Sequence, residues 1–360
     1  MEVKCYTLLM PMREGQPQLS GFINVNKPVG FTSFDVIRRL RSILRIRKLG
    51  HSGVLDKPAT GVLPIGVNRA TKLFQYFDRM LKVYLTTFLF GFSTDTDDIT
   101  GRILSVGDAG STEKLAQGDL EAALAQFKGD ISQVPPRFST TKVHGKEFYR
   151  LTLQGEEVPH RLKRVTVEDF EVLDFKEGPE ATTLLAEHSQ LAVPRKDNGS
   201  SPLIEASAIP ELKLLTVRIL CRGGFYVRSL ARDVGELVKA QGCVLSLVRE
   251  QVGPFRVEDA VGFDEVEQAV SESKFQERVL LPMRVIAEPE RTVKLDAASI
   301  QRLRQGQQVL LQMSFLPERL RRRGEAVFVL DSRGHLAAVA HTREPVPGER
   351  IPLQPARLLR

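Results

Sequence analysis

The chain has 360 residues, 42% hydrophobic and 26% charged, an ordinary globular composition at a length that favours two domains over one. Its 51 Lys and Arg against 44 Asp and Glu leave a net charge of +7, which suits a polyanionic partner such as nucleic acid. Three distant cysteines, Cys5, Cys221 and Cys243, exclude a disulfide framework and zinc spacing, and no apolar run is long enough to span a bilayer.

In chain order, residues 1–20 read as a loose extension, and Met1 to Glu14 carries no basic segment followed by a long apolar stretch, so a soluble cytoplasmic protein is expected. Gly21 to Asn26 alternates like a strand and is broken by Lys27-Pro28-Val29-Gly30. Thr32 or Ser33 can then cap a helix, with Asp35 in its first turn and Val36, Ile37, Leu40, Ile43 and Leu44 as the buried stripe. Arg38, Arg39, Arg41, Arg45, Arg47 and Lys48 give its other face a run of cations without an acid, a candidate phosphate contact. Leu81 to Gly91 reads as a buried strand, and Ser93 to Gly101 as a hairpin turn whose three aspartates lack the ligand series of a calcium loop. A short helix is expected from Asp119 to Phe127, ending near Gly129.

Residues 176–212 show little periodicity and read as a long, mobile insertion between two strands. Strand character resumes at Lys213 to Leu220, followed by a helix from Val227 to Ala240. Beyond residue 289 the pattern changes: strand, short helix ended by Gly306, a basic edge at Arg319, Arg321, Arg322 and Arg323, then strands at Val327–Leu330 and Leu336–Val339. The expected divisions are an extension at 1–20, a larger domain at 21–288 and a small β-rich domain at 289–360.

The densest window is Gly50-His51-Ser52-Gly53-Val54-Leu55-Asp56-Lys57-Pro58-Ala59-Thr60-Gly61-Val62-Leu63-Pro64. An acid between an apolar pair and a Pro/Thr/Gly turn holds its carboxylate on a constrained loop, where it can serve as nucleophile or base at an anomeric carbon. Taken alone, Asp56 reads first as a turn residue or a helix cap, the favoured role of any lone aspartate.

Four further windows change that balance, because with the first they resemble, in order, the signature of the TruB-type pseudouridine synthases. Asn26 to Ser33 precedes the Asp56 window, and Lys82-Val83-Tyr84 leads to Thr94-x-Thr96-x-Asp98-x-x-Gly101. Gln133 to Ser139 follows, with Lys142, Gly145 and Tyr149; Gly224 to Leu230 comes last, ahead of Leu247, Arg249 and Gly253-Pro254-Phe255. The resemblance covers residues 21–260 apart from the insertion. It departs from the family pattern at Lys57, at Thr140 and Thr141, and at Leu151-Thr152, which bear on RNA affinity more than on chemistry.

The resemblance implies a mixed, mainly antiparallel sheet with flanking helices, an α+β fold, followed by a PUA-like β-rich domain. It implies Asp56 as the catalytic aspartate and Arg228 as the arginine that pairs with it. Tyr84 would stack on the target uracil, Tyr226 and His51 would contact the flipped nucleotide, Leu247 would line its pocket, and Lys27 and Pro28 would brace the loop. Structural roles also suit Tyr84, Tyr226, His51 and Leu247. The implied substrate is uridine 55 in the T arm of tRNA, with no cofactor, metal, guide RNA or obligatory protein partner, and a monomer. Arg321 and Arg322 join the Arg38–Lys48 face as candidate backbone contacts. Two rival readings are a guide-dependent synthase and a tRNA chaperone that needs no catalysis.

Overall fold

The computed structural model describes residues 19–139, 142–143, 146–154, 156, 162–189 and 212–359. The expected 1–20 extension lies almost wholly outside these residues, as do Thr140, Thr141 and Gly145 and the side chain of Tyr149.

The chain starts with β1 (Gly21–Lys27) and α1 (Ser33–Leu44), then β2 (Leu49–His51), β3 (Thr60–Val67) and 3-10 turns over Asn68–Arg79. The strand β4 (Lys82–Phe90) runs into the hairpin β5 (Phe92–Thr94) and β6 (Ile103–Val106), followed by α2 (Ala109–Lys114), α3 (Gln117–Ala125) and β7 (Gly129–Gln133). Two short strands, β8 (Lys142–Val143) and β9 (Lys146–Glu147), precede α4 (Phe148–Leu153). The long β10 (Lys163–Glu177), α5 (Gly178–Ser189), β11 (Lys213–Cys221), α6 (Val227–Leu237), β12 (Gly242–Val252) and β13 (Phe255–Arg256) follow, with α7 (Phe263–Ser271) and α8 (Phe275–Arg278) after them.

Among the described residues one nine-stranded sheet runs in the order β1-β3-β12-β4-β11-β10-β7, with β2 on β3 and β13 on β12. Only β3 and β12 pair in parallel; every other pairing is antiparallel, the mixed sheet expected. A second sheet, β14 (Thr292–Lys294), β15 (Val309–Gln312), β16 (Ala326–Leu330), β17 (Leu336–Thr342) and β18 (Arg350–Leu358), encloses α9 (Ala297–Arg304) and forms the β-rich C-terminal unit. The two units share one apolar cluster in which Phe22, Tyr76 and Phe77 join Phe328, Leu336 and Val339. Tyr76 meets Phe328 edge-on at 5.6 Å between ring centroids. No helix is long and apolar enough to cross a membrane among the described residues.

Local chemistry explains the elements near the site. Thr32 caps α1, its hydroxyl accepting from the Asp35 N–H while the Asp35 carboxylate accepts from the Thr32 N–H, two otherwise orphaned donors satisfied together. Val36, Ile37, Leu40 and Leu44 are buried, each worth about 1.5–3 kcal/mol relative to exposure. Replacing Thr32 would loosen the helix start; replacing Leu40 would open its packing.

Three expectations need correction. The segment read as mobile at 176–212 is regular as far as Ser189: β10 continues to Glu177, and α5 follows, burying Ala181 and Leu185. Residues 190–211 lie outside the described ones. The helix read from Asp119 starts at Gln117, because Asp119 acts from the helix's third position and accepts from the Ala116 N–H. The helix read to Ala240 ends at Leu237, where Lys239 and Gln241 turn into the left-handed region and both the Ala240 and Gln241 N–H groups fold back on the Gly235 carbonyl.

The strand β3 passes unannounced through the motif window, since Gly61, Pro64 and Gly66 depress strand propensity. Tertiary contact overrides that. Gly61 has φ +98 and faces Arg249 on β12, so a Cβ there would stand 2.3 Å from the Arg249 carbonyl oxygen. Gly61→Ala is therefore expected to cost about 2–3 kcal/mol through the positive φ and the overpacking. Urea denaturation checks this, and an unchanged midpoint would show that β3 and β12 can part without cost.

Candidate active site

Asp56 lies on the loop between β2 and β3, and its neighbours in sequence are fastened from three sides. Ser33, buried at the start of α1, clasps Leu55: its hydroxyl accepts from the Leu55 N–H at 2.9 Å and donates to the Leu55 carbonyl at 3.3 Å. The Lys57 carbonyl accepts from the Gly30 N–H at 3.0 Å and from Lys27 Nζ at 3.3 Å. Fully buried Lys27 also donates to the carbonyls of Pro28 and Phe31, so three acceptors satisfy its ammonium, and burial pulls its pKa down to about 8. Lys27 thus reaches the loop directly, while Pro28 contributes a carbonyl to the Lys27 ammonium.

Upstream, Arg249 is wholly buried, its Nε 2.7 Å from the Val62 carbonyl and its Nη atoms 3.4 and 3.5 Å from those of Val54 and Gly53. The sequence offered Arg249 only as part of a motif. A buried arginine spent on carbonyls that flank Asp56 on both sides, in the loop and in β3, ties the loop to the sheet, and nothing in its spacing announces that.

Arg228, in the first turn of α6, reaches Asp56 with Nε 2.9 Å from Oδ2. The same guanidinium donates to the Thr96 carbonyl at 2.8 Å and to the Phe138 carbonyl at 3.0 Å, and lies 3.6 Å from Asp98. Arg228 is 7% exposed, whereas Asp56 keeps 35% of its side chain open. Burial among protein atoms raises the Asp56 pKa above the usual carboxyl value; the Arg228 charge opposes this and the Asp98 charge adds to it. Asp98, read from sequence as part of a hairpin turn, is a buried member of the same cluster, its Oδ1 accepting from Thr96 Oγ1 and from the Thr100 N–H, each at 2.9 Å.

Asp56, Asp98, Ile99, Arg228 and Leu247 line one small cavity that encloses about 20 Å³. Tyr84 is buried on β4 directly opposite Arg249 of β12, near enough that burial, Arg249 and the Asp56 charge all act on its phenol, whose pKa is raised chiefly by burial. Tyr226 immediately precedes α6; its main chain is gripped by the Gln133 side chain, its N–H donating to Oε1 at 3.0 Å and its carbonyl accepting from Nε2 at 3.2 Å. Lys163 Nζ stands 5.2 Å from its ring centroid, a cation–π contact. His51 sits on β2, where burial, then Arg249, push its pKa below the ordinary value and favour the neutral ring. The structure brings Asp56, Arg228 and Leu247 to one cavity; Tyr84, Tyr226 and His51 are not among its described lining residues.

The cationic face of α1 is partly neutralised. Arg38 pairs with Asp35 at 2.7 Å, Arg39 pairs with Glu267 of α7, and Arg41 donates to the Leu49 carbonyl. Arg45, Arg47 and Lys48 are exposed and make no ion pair among the described residues. Arg321 and Arg322 are exposed in the C-terminal unit, outside the cavity. No group of three His, Cys, Asp or Glu is placed to hold a metal ion among the described residues.

Comparison with known proteins accords with this geometry. Residues 41–190 match the sequence model of the family described as "TruB family pseudouridylate synthase (N terminal domain)". The chain is 35% identical over 330 residues to tRNA pseudouridine synthase B of Saccharophagus degradans, covering 91% of this chain and 93% of the relative. It is 34% identical over 295 residues to the protein of the same name in Trichormus variabilis, covering 82% and 87%. In fold it resembles a chain of a solved Cbf5–Nop10–Gar1 complex, with a TM-score of 0.63, 18% identity, and coverage of 94% of this chain and 84% of that one. The ordered motifs, the mixed sheet and this similarity along most of its length make the chain a member of the TruB family of pseudouridine synthases.

Proposed function

We propose that the chain isomerises uridine 55 in the T arm of tRNA to pseudouridine, with Asp56 as the carboxylate that acts at the ribose. The observation that carries this reading is the Asp56–Arg228 pair, 2.9 Å apart in a cavity otherwise lined mostly by apolar residues, with Asp98 and Ser246. The relatives' names supply the substrate class.

In the reaction the uracil N1–C1′ bond breaks, the base turns, a C5–C1′ bond forms, and the proton on C5 is released while N1 gains one. Nothing is oxidised. An ionised Asp56 can add to C1′ or remove a ribose proton to give a glycal; both routes begin from the carboxylate, which Arg228 keeps anionic and oriented. A stacked or paired base must first swing out, at a cost of a few kcal/mol. Stacking on Tyr84 offsets roughly 1–3 kcal/mol of that, with Tyr226 and His51 contacting the flipped nucleotide.

Residues 21–288 would form the catalytic domain and 289–360 a PUA-like domain that contacts RNA near the acceptor end. Arg45, Arg47 and Lys48, which lie just beyond the end of α1 rather than on its face, are the strongest phosphate contacts of this segment, since Arg38 and Arg39 already have acidic partners. Arg321 and Arg322 would serve the same role in the terminal domain. In this reading the protein acts as a monomer in the cytoplasm, without guide RNA or cofactor.

The test is tritium release from an unmodified tRNA transcript carrying C5-tritiated uridine, with no guide RNA added. Release mapped to uridine 55 is the expected result. Folded protein that binds the transcript and releases nothing would overturn the reading in favour of a guide-dependent enzyme or a chaperone.

A further inference from the structure

Arg228 is not the only arginine on α6 that reaches the 94–101 turn. One helical turn later Arg232 places Nη1 3.0 Å from Asp97 Oδ2, so successive arginines grip successive aspartates. Both also hold the 134–138 segment: Arg232 Nη2 donates to the Val134 carbonyl at 3.0 Å, as does the Ser229 hydroxyl at 2.8 Å, and Arg228 donates to the Phe138 carbonyl. The Arg232 fork is completed by Asp233, 2.8 Å away.

Asp97 itself is unusual. It is buried, has φ +59, and is tied at both main-chain groups, its N–H donating to the Thr94 carbonyl and its carbonyl accepting from the Val244 N–H of β12. A left-handed aspartate is strained and persists only where its surroundings fix it. Its two neighbours in sequence are the groups that hold Arg228: the Thr96 carbonyl accepts from Nη1, and the Asp98 carboxylate lies beside it. The conformation of residue 97 therefore sets where the acceptors at 96 and 98 point, and through them the aim of the guanidinium that meets Asp56.

We propose that Arg232 and Asp97 form a positioning pair for the isomerisation, acting on Asp56 through Arg228 and never touching the RNA. The inference rests on the function proposed above. A plain structural staple between α6 and its neighbouring loops would use the same contacts, so the test separates stability from chemistry.

Asp97→Asn, Arg232→Gln, the double variant and Arg232→Lys are compared with wild type by single-turnover tritium release at saturating enzyme, by KM for the transcript, and by thermal melting. Each neutral single variant is expected to lose about tenfold in single-turnover rate, with KM within about twofold. The double variant should be no slower than the slower single one, because both remove the same pair, and Arg232→Lys should recover part of the rate by restoring the charge. Rates within about twofold of wild type, a raised KM at unchanged rate, or losses that only track the folded fraction would each overturn the inference. Absence of turnover in wild type would instead overturn the functional reading on which it rests.

Discussion

Asp56→Asn is expected to lower the rate of isomerisation by at least about 10⁴-fold while leaving RNA binding within a few-fold of wild type. The amide preserves the size of the side chain and an acceptor for Arg228 Nε, but it can neither add to C1′ as an anion nor take up a ribose proton. Single-turnover tritium release and filter binding on the same preparations check both halves. Loss of binding with loss of turnover would assign Asp56 to recognition instead. The wild-type pH profile is the companion measurement. Burial raises the Asp56 pKa, and the reactive form is the carboxylate, so the rate is present above that pKa and falls as pH drops through it. The acid limb should lie above the pH at which an exposed carboxyl titrates, roughly 4. A limb at that value would mean that Arg228 fully offsets burial.

Arg228→Met should destabilise the fold and remove activity together. Without the guanidinium, Asp98 stays buried with one cation fewer, and the carbonyls of Thr96 and Phe138 lose a donor. Breaking a buried pair by removing one partner costs about 3–5 kcal/mol; the lower end applies here because Asp56 keeps 35% of its side chain exposed. Arg228→Lys retains the charge but cannot serve Asp56, Thr96 and Phe138 at once, and a loss of about 10²-fold in turnover with a smaller loss of stability is the expected contrast. Urea denaturation of both variants beside wild type is decisive. An unchanged midpoint for Arg228→Met would show that the cluster is held by its main chain alone.

How far the molecule was legible in its sequence depends on how local each signal is. The start of α1 could be read because Thr32 and Asp35 satisfy each other within one turn, and β4 and β11 because their runs of β-branched and other apolar residues are themselves strand signals. The meeting of Asp56 and Arg228 came from family resemblance; no periodicity links positions so far apart. What stayed hidden is equally specific. β3 contains Gly61, Pro64 and Gly66, residues that oppose strands, yet its two glycines admit Arg249 and Phe74 at distances a Cβ would forbid. Asp97 and Asp98 look like turn chemistry in sequence, and their roles appear only when α6 arrives from residue 227 onward. The α5 helix could have been read from Ala181, Leu184 and Leu185, but the Pro- and Gly-containing stretch that follows carried the whole segment toward an irregular reading.

The apolar cluster that Phe22, Tyr76 and Phe77 share with Phe328, Leu336 and Val339 has a mechanical meaning. A chain cut before residue 289 would uncover this cluster, the Tyr76 ring first, so the terminal unit cannot be shed without injuring the packing beneath the sheet. A long RNA that touches both units meets a gauge of set length. The work of fitting then falls on the nucleic acid, whose single strands bend more readily than a packed core slides.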